Sequence, residues 1–322
     1  MLQGELQGKS VLAHSGLGQR LLGWQALQGG VSAAVYKMSY EVAGGAPAHS
    51  VVRCHSDVDF ARNPDLAADE YACVTALHDA SVSVPRPLYL GLDTEVFGRP
   101  YAIYEYVEGS TVSDADGLSR CVPAMAAWLA NFHTLSLPQL NPALSTSHPL
   151  VPRQALVPLA VGDATRSYDQ EIFESQIREA LDSIPRPALV GEPVLLHGDY
   201  WSGNLLWRNS QLVAVIDWED FGIGDALADL ACARLELLWG AGAAEVDRFT
   251  QLYFATGDLD CADMVDALAW WDLAAVLPFA NTMGVISSST DERLEKRALL
   301  AGFIRRAAAV LGLEKLLLAA RL

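Results

Sequence analysis

The stretch LLHGDYWSGNLLW carries the strongest chemical signal in this chain. In it His197-x-Asp199 is followed five residues on by Asn204, and thirteen residues later Asp217 stands in VAVIDWED. Phosphoryl transfer suits this set, because it asks a protein for little covalent work. The acceptor hydroxyl must be oriented, metals held, and charge developing on the phosphate compensated. An Asp and an Asn on one loop can do the first two, the Asp by accepting the hydroxyl proton and the Asn by offering its carbonyl to magnesium. A second carboxylate is then required, since magnesium prefers hard oxygen ligands in octahedral geometry. Asp217 closes an apolar run and so can be presented at a cleft mouth. Singly, each residue reads as a turn, an Asx cap or a strand end. Jointly they form H-x-D-x-x-x-x-N with a downstream Asp.

Two textures must position these residues. Across 20–106 the chain is strand-like at 34–41, 51–55 and 101–107, with β-branched and aromatic residues between Gly, Pro and Ser. One helix interrupts them, starting near Pro64 and ending before Pro85. After about residue 120 the 3.6-residue period dominates, at 121–135, 169–184, 225–239, 245–256, 260–277 and 293–318. Within 194–217, LLW and LVAVID flank RNSQ like a short hairpin. The Pro-rich piece 137–158 reads as a connection, and no repeat of 20–50 residues is present.

HGDYWSGN, IDWED and the following GDALADLA, with Gly224, Asp225 and Asp229, resemble the aminoglycoside phosphotransferase/choline kinase-like family. The resemblance runs from about residue 24 to at least 240. It implies an α+β, two-lobed protein-kinase-like fold, with a small antiparallel-sheet N-lobe carrying one helix (1–106) and a larger, mainly helical C-lobe (107–322). It also implies an ATP- and Mg²⁺-dependent small-molecule kinase, with GTP as a rival nucleotide. Asp199 becomes the catalytic base, and Asn204 and Asp217 the metal ligands. His197 becomes a loop-holding residue, and Asp229 a buried carboxylate that ties the catalytic loop down.

In the first lobe, LQGGVSAAVYKM resembles a phosphate-covering loop. Gly29 and Gly30 would allow close backbone approach and Ser32 would offer a hydroxyl or amide, although an ordinary hairpin turn fits the same residues. Arg53 in SVVRCH stands where the family places its strand Lys or Arg, and a guanidinium can grip phosphates bidentately. Lys37 reads as solvated. Glu70, Cys73, Val74 and Leu77 follow i, i+3, i+4, i+7, which puts Glu70 on the core-facing stripe, where an ion pair with Arg53 would offset its burial. Asp69 should point about 100° away, into solvent. PYAIYEYVEGSTV resembles the hinge, with backbone around Glu105–Val107 meeting the base; an apolar strand is the other reading. His133 reads as a packing histidine.

The acceptor is the open question. GDALADLA follows Asp217 too closely to leave room for a long activation segment, so a small hydroxylated molecule fits better than a protein. Candidate lining comes from Glu219, Asp220, Glu236, Trp270, Trp271 and Asp272. Aromatic and acidic walls would suit an amine or quaternary ammonium, and surface acids with core tryptophans are the plainer account. An antibiotic kinase competes with a metabolic kinase for choline, homoserine, methylthioribose or a glycated amine. A nucleotide-binding regulatory module that has lost catalysis is a further rival, weighed against the complete Asp199, Asn204, Asp217 set.

Composition narrows the field. The 322 residues are 51% hydrophobic and 19% charged, as in a packed globular protein, and the net charge of −17 disfavours nucleic-acid binding. The cysteines Cys54, Cys73, Cys121, Cys232 and Cys261 are odd in number and scattered, without CxxC spacing. No secretory signal and no run of about 18 apolar residues is apparent, so a cytoplasmic location away from membranes is the expectation.

Overall fold

The computed structural model describes residues 2–27, 33–137, 140, 167–189, 191–257 and 264–320. Gly29, Gly30, Ser32, Cys261 and most of the 137–158 connection lie outside them.

A helix, α1 (Leu2–Ser15), leads into β1 (Arg20–Ala26), β2 (Ala33–Glu41) and β3 (Pro47–His55). After α2 (Asp57–Arg62) and α3 (Leu66–Asp79) come β4 (Pro87–Gly91) and β5 (Tyr101–Glu105). The five strands form one antiparallel sheet in the order β1-β2-β3-β5-β4. The alternation of side chains along a strand assigns its faces. Val52, Cys54, Tyr101 and Ile103 join Met38, Val11 and Leu12 in a core on the α1 side. Ala102 and Tyr104 face the other way, towards Cys73, Val74 and Leu77 of α3. Arg53, in register with Ala102, shares that second face. The α3 stripe buries Glu70 together with Cys73, Val74 and Leu77. Asp69, expected in solvent, is half-buried and accepts a hydrogen bond from Asn63 Nδ2 at 2.9 Å. The strands β1 and β4 and the helix α1 carried too weak a period to be singled out in the sequence.

The remainder is mainly helical. Its helices are α4 (Ala115–Phe132), α5 (Glu174–Ser183), α6 (Ala226–Ala241), α7 (Ala243–Thr256), α8 (Val265–Val276), α9 (Thr290–Val310) and α10 (Glu314–Ala319). Where one terminal helix was expected, a turn at 311–313 separates α9 from α10. Two small ribbons interrupt the helices. β6 (Val194–Leu196) pairs with β9 (Gly222–Gly224), and β7 (Leu205–Arg208) pairs with β8 (Gln211–Val215). Asn209 and Ser210 turn the second ribbon with φ of 52° and 61°, the double left-handed geometry of a tight hairpin. The ribbon is tied back to the first part of the chain. Ser110 and Trp207 exchange backbone hydrogen bonds of 2.9 and 3.0 Å, and Val215 N donates to Ser83 O at 2.8 Å. No helix among the described residues is long and apolar enough to cross a membrane.

Asp272 was a candidate for the acceptor wall. It is instead 5% exposed and joins α8 to α6 through a bidentate pair with Arg234, at 2.9 Å to each oxygen. Arg234 also donates to Thr250 Oγ1 on α7. Removing one partner of such a pair strands a charge in the core. Asp272→Ala should therefore cost about 3–5 kcal/mol, and Arg234→Met added to it should recover part of that loss. Urea denaturation of the two variants checks this; a double variant no more stable than the single would contradict it.

Candidate active site

The loop after β6 is fixed by a carboxylate from α6. Asp229, fully buried, accepts the backbone N–H of His197 at 2.7 Å and of Gly198 at 2.9 Å. His133, at the end of α4, places Nε2 3.3 Å from the same carboxylate, and its Nδ1 lies 2.7 Å from Tyr253 Oη on α7. Burial alone would raise the Asp229 pKa; the His133 contact and the Gly198 N–H outweigh it and hold the group below its ordinary value. Gly198 has φ +88°, and a Cβ there would fall 2.0 Å from the carbonyl oxygen of Asp220, so only glycine fits. His197 Nδ1 accepts from the Asp199 N–H at 3.2 Å, which makes Nε2 the protonated nitrogen, donating to Ile216 O at 3.0 Å. Burial holds this ring below the usual histidine pKa, in keeping with a neutral imidazole that staples the two loops.

The stapled loops bring Asp199 and Asp217 to one cleft. Asn204 Nδ2 donates to Asp199 Oδ2 and to Asp199 O, each at 2.9 Å. Trp201 Nε1 donates to the same Oδ2 at 3.2 Å. Burial, with Asp217 and Asp220 nearby, pushes Asp199 up to about 7. Asp217 follows β8 and holds φ +67°, a conformation that Asp tolerates better than most residues. Burial raises it to about 6 even though Arg53 opposes the shift. With Nδ2 committed to Asp199, Asn204 keeps its Oδ1. Asn204 and Asp217 thus offer hard oxygen donors on one wall, which fits a magnesium ion.

Facing them, Arg53 reaches across from β3. Its Nε lies 3.2 Å from Glu70 Oε2, and its Nη2 lies 2.5 Å from both Asp217 Oδ1 and Glu219 Oε2. His55, two residues further along the same face of β3, stands 2.9 Å from Glu70 and 3.3 Å from Glu219. Burial would lower the His55 pKa, but the two carboxylates dominate and carry it to about 9. Sequence reasoning missed His55, although its period-2 relation to Arg53 was available. It also assigned Glu219 to the acceptor wall; Glu219 lines the cleft, and its carboxylate lies within ion-pair distance of Arg53 and His55.

Between these groups runs a cleft of about 670 Å³, walled by Val35, Val51, Val74, Leu206 and Ile216 and edged by Tyr104 to Val107. Glu105 is exposed, and the Val107 N–H has no hydrogen-bond partner among the described residues. Lys37 is half-buried, with Nζ 3.7 Å from the Tyr106 ring centroid, rather than solvated. Glu236 is half-buried on α6. Burial first and Asp199 second raise it to about 7, which marks it as a neighbour of the loop carboxylate. Trp271 does not line the cleft. It is 2% exposed and packs edge-on against Trp270 in the helical core, their centroids 5.1 Å apart, so the expectation of an acceptor contact is corrected.

Mouse (Mus musculus) acyl-CoA dehydrogenase family member 10 is 27% identical over 176 residues, covering 52% of this chain but 16% of that protein. Human (Homo sapiens) acyl-CoA dehydrogenase family member 11 is 26% identical over 53% of this chain and 23% of its own length. Viomycin phosphotransferase of Streptomyces vinaceus is 26% identical over 57% of this chain and 68% of its own. Among solved structures, an amicoumacin kinase in complex with AMP-PNP, Ca²⁺ and Ami superposes over 92% of both chains, with TM-score 0.65 and 16% identity. A mutant of aminoglycoside phosphotransferase APH(4)-Ia with ADP and hygromycin B superposes over 94% of this chain and 98% of its own, with TM-score 0.57 and 17% identity. These likenesses establish the two-lobed kinase-like fold. The family model described as "Phosphotransferase enzyme family" matches residues 23–271, and the chain belongs to that family.

Proposed function

We propose that this protein transfers the γ-phosphate of a nucleoside triphosphate, ATP with GTP as the rival, to a hydroxyl of a small molecule. The observation that carries the reading is the joint opening of Asp199, Asn204 and Asp217 on one cleft, with Asn204 hydrogen-bonded to Asp199 and its backbone O accepting from Ile216 N at 2.9 Å. The nucleotide base would lie between Val35, Val51, Leu206 and Ile216, with its polar edge on the backbone near Glu105 and Val107. Residues 1–106 would then serve as the nucleotide-binding lobe and 107–322 as the catalytic lobe. Asp217 and Asn204 would hold Mg²⁺, which supplies charge neutralisation at the phosphates when bound. Asp199 takes the acceptor's hydroxyl proton as the new O–P bond forms and the bond from the γ-phosphorus to the bridging oxygen breaks, releasing the nucleoside diphosphate. Arg53 would turn from Asp217 and Glu219 to the phosphates while Glu70 retains its Nε. Glu236, whose carboxyl feels the charge of Asp199, would contact the acceptor.

Structural neighbours are named as an amicoumacin kinase, an aminoglycoside phosphotransferase and a macrolide 2'-phosphotransferase, which supports an acceptor of that kind. The relatives named as acyl-CoA dehydrogenase family members match at the same level of identity as viomycin phosphotransferase, which keeps a metabolite in contention. A panel of aminoglycosides, macrolides, viomycin, amino alcohols and sugars, read by nucleoside diphosphate production, decides between them. With the acceptor so found, Asp199→Asn should lower kcat by about 10²–10⁴-fold and leave nucleotide affinity within a few-fold. Retained turnover would remove Asp199 as the base. Asp217→Ala should weaken nucleotide binding in Mg²⁺ far more than in EDTA; calorimetric titrations showing equal effects would count against the metal assignment.

A further inference from the structure

Asp199 carries an asymmetry that the family motif does not explain. Among the described residues, both side-chain hydrogen bonds to its carboxylate fall on Oδ2, from Asn204 Nδ2 at 2.9 Å and from Trp201 Nε1 at 3.2 Å. Asn204 shares the same NH₂ with Asp199 O, so one donor group serves two acceptors. The indole is a donor dedicated to the side chain. It can reach Oδ2 because Trp201 is extended (φ −148°, ψ 170°) and the chain then turns through Ser202–Asn204, folding the ring back over Gly203. A Cβ on Gly203 would lie 2.3, 2.4 and 2.7 Å from the ring atoms Cη2, Cζ2 and Cζ3, so the indole occupies the space of the missing side chain. Trp201 and Gly203 both line the cleft.

We infer that Trp201, seated on Gly203, is a positioning residue that pins Oδ2 of Asp199 and turns Oδ1 to the acceptor hydroxyl. The inference rests on the reading of Asp199 as the base. An indole suits the task chemically. It donates a hydrogen bond but accepts none, so it cannot compete with Asp199 for the incoming proton. It is also neutral. Fixing one oxygen by two donors restricts rotation about the Cβ–Cγ bond, and misplacement of a reacting atom by about 1 Å can cost 10²-fold.

Two measurements on the full chain separate this inference from the functional reading beneath it. In protein labelled with ¹⁵N at its indoles, Trp201→Phe assigns the Trp201 signal. That signal should exchange slowly with solvent, and it should shift and lose protection in both Asp199→Ala and Gly203→Ala. Kinetically, with Mg-ATP and the best acceptor of the panel, Trp201→Phe should lower kcat about 10-fold with KM changed less than twofold, and Trp201→His should recover part of the loss. Gly203→Ala should lower kcat to a similar extent in the parent chain and cause no further loss in Trp201→Ala, where no ring remains to be displaced. Thermal unfolding within a few degrees of the parent confirms that the variants fold. An unchanged kcat in Trp201→Phe, an equal Gly203→Ala loss in both backgrounds, or an indole signal indifferent to Asp199→Ala overturns the inference. Absence of turnover in the parent chain overturns the base assignment instead, and the indole signal still reports the contact.

Discussion

The site depends on Asp229 holding two backbone N–H groups in the helical core. A carboxylate with no exposure to water would be costly unless its oxygens were satisfied. Here the adjacent His197 and Gly198 amides of one loop, and His133 from the end of α4, supply that satisfaction. The loop that carries Asp199 is therefore referred to α6, to the end of α4 and, through Tyr253, to α7. The next residue adds a second anchor. Tyr200 donates its hydroxyl to Met125 O at 3.0 Å and stacks on Trp128 at 5.4 Å between centroids. The Asp199 carboxylate opens on the cleft while its neighbours on both sides are sunk in the core.

The opposite wall is governed by charge balance rather than backbone anchoring. Arg53 and His55 face Glu70, Asp217 and Glu219 within ion-pair distance. With His55 carried to about 9, two cations meet three carboxylates at neutral pH, and Asp199 and Glu236 add acidity nearby. A cleft of this composition is short of positive charge; burial chiefly, with neighbouring carboxylates adding to it, raises Asp199, Asp217 and Glu236. A divalent cation entering beside Asn204 would relieve the shortage and free Arg53 for phosphate. On the proposed function, the guanidinium would stand in for part of that charge until nucleotide and metal bind.

Much of this was legible from spacing. H-x-D-x-x-x-x-N and the Asp after VAVI identify residues fixed by local chain geometry: one loop, one short helical turn and one hairpin. Glu70 was legible because a helix stripe has a period. The losses occurred where the decision needed a third dimension. Residue type offered Glu219 and Trp271 as an acidic and aromatic wall, but not that Glu219 pairs with Arg53, or that α8 turns both tryptophans inward. His55 went unread because a lone histidine on a strand carries no motif; its importance arises from Glu70 and Glu219, which arrive from a helix and from a distant loop. The weakly amphipathic α1 and the short β1 and β4 became elements through packing on the sheet rather than through their own pattern.

The two walls differ in how far they are prepared for reaction. Asp217 sits at φ +67°, a conformation that for a residue with a Cβ persists only where surrounding contacts over-determine it, whereas Gly198 adopts φ +88° without that cost. The contacts in question are available on the helical side: Asp229 beneath Gly198, His197 joining the two loops, and Trp218 giving its Nε1–H to Val215 O at 3.1 Å beside Asp217. That wall can hold its oxygens in place without rearranging. The sheet side holds its cation by side-chain ion pairs alone, and these must exchange if Arg53 is to reach a phosphate. Under the proposed function a division of labour would follow: the helical core would supply fixed geometry for proton transfer and metal ligation, and the sheet a charge held by side-chain pairs that a polyanion could displace.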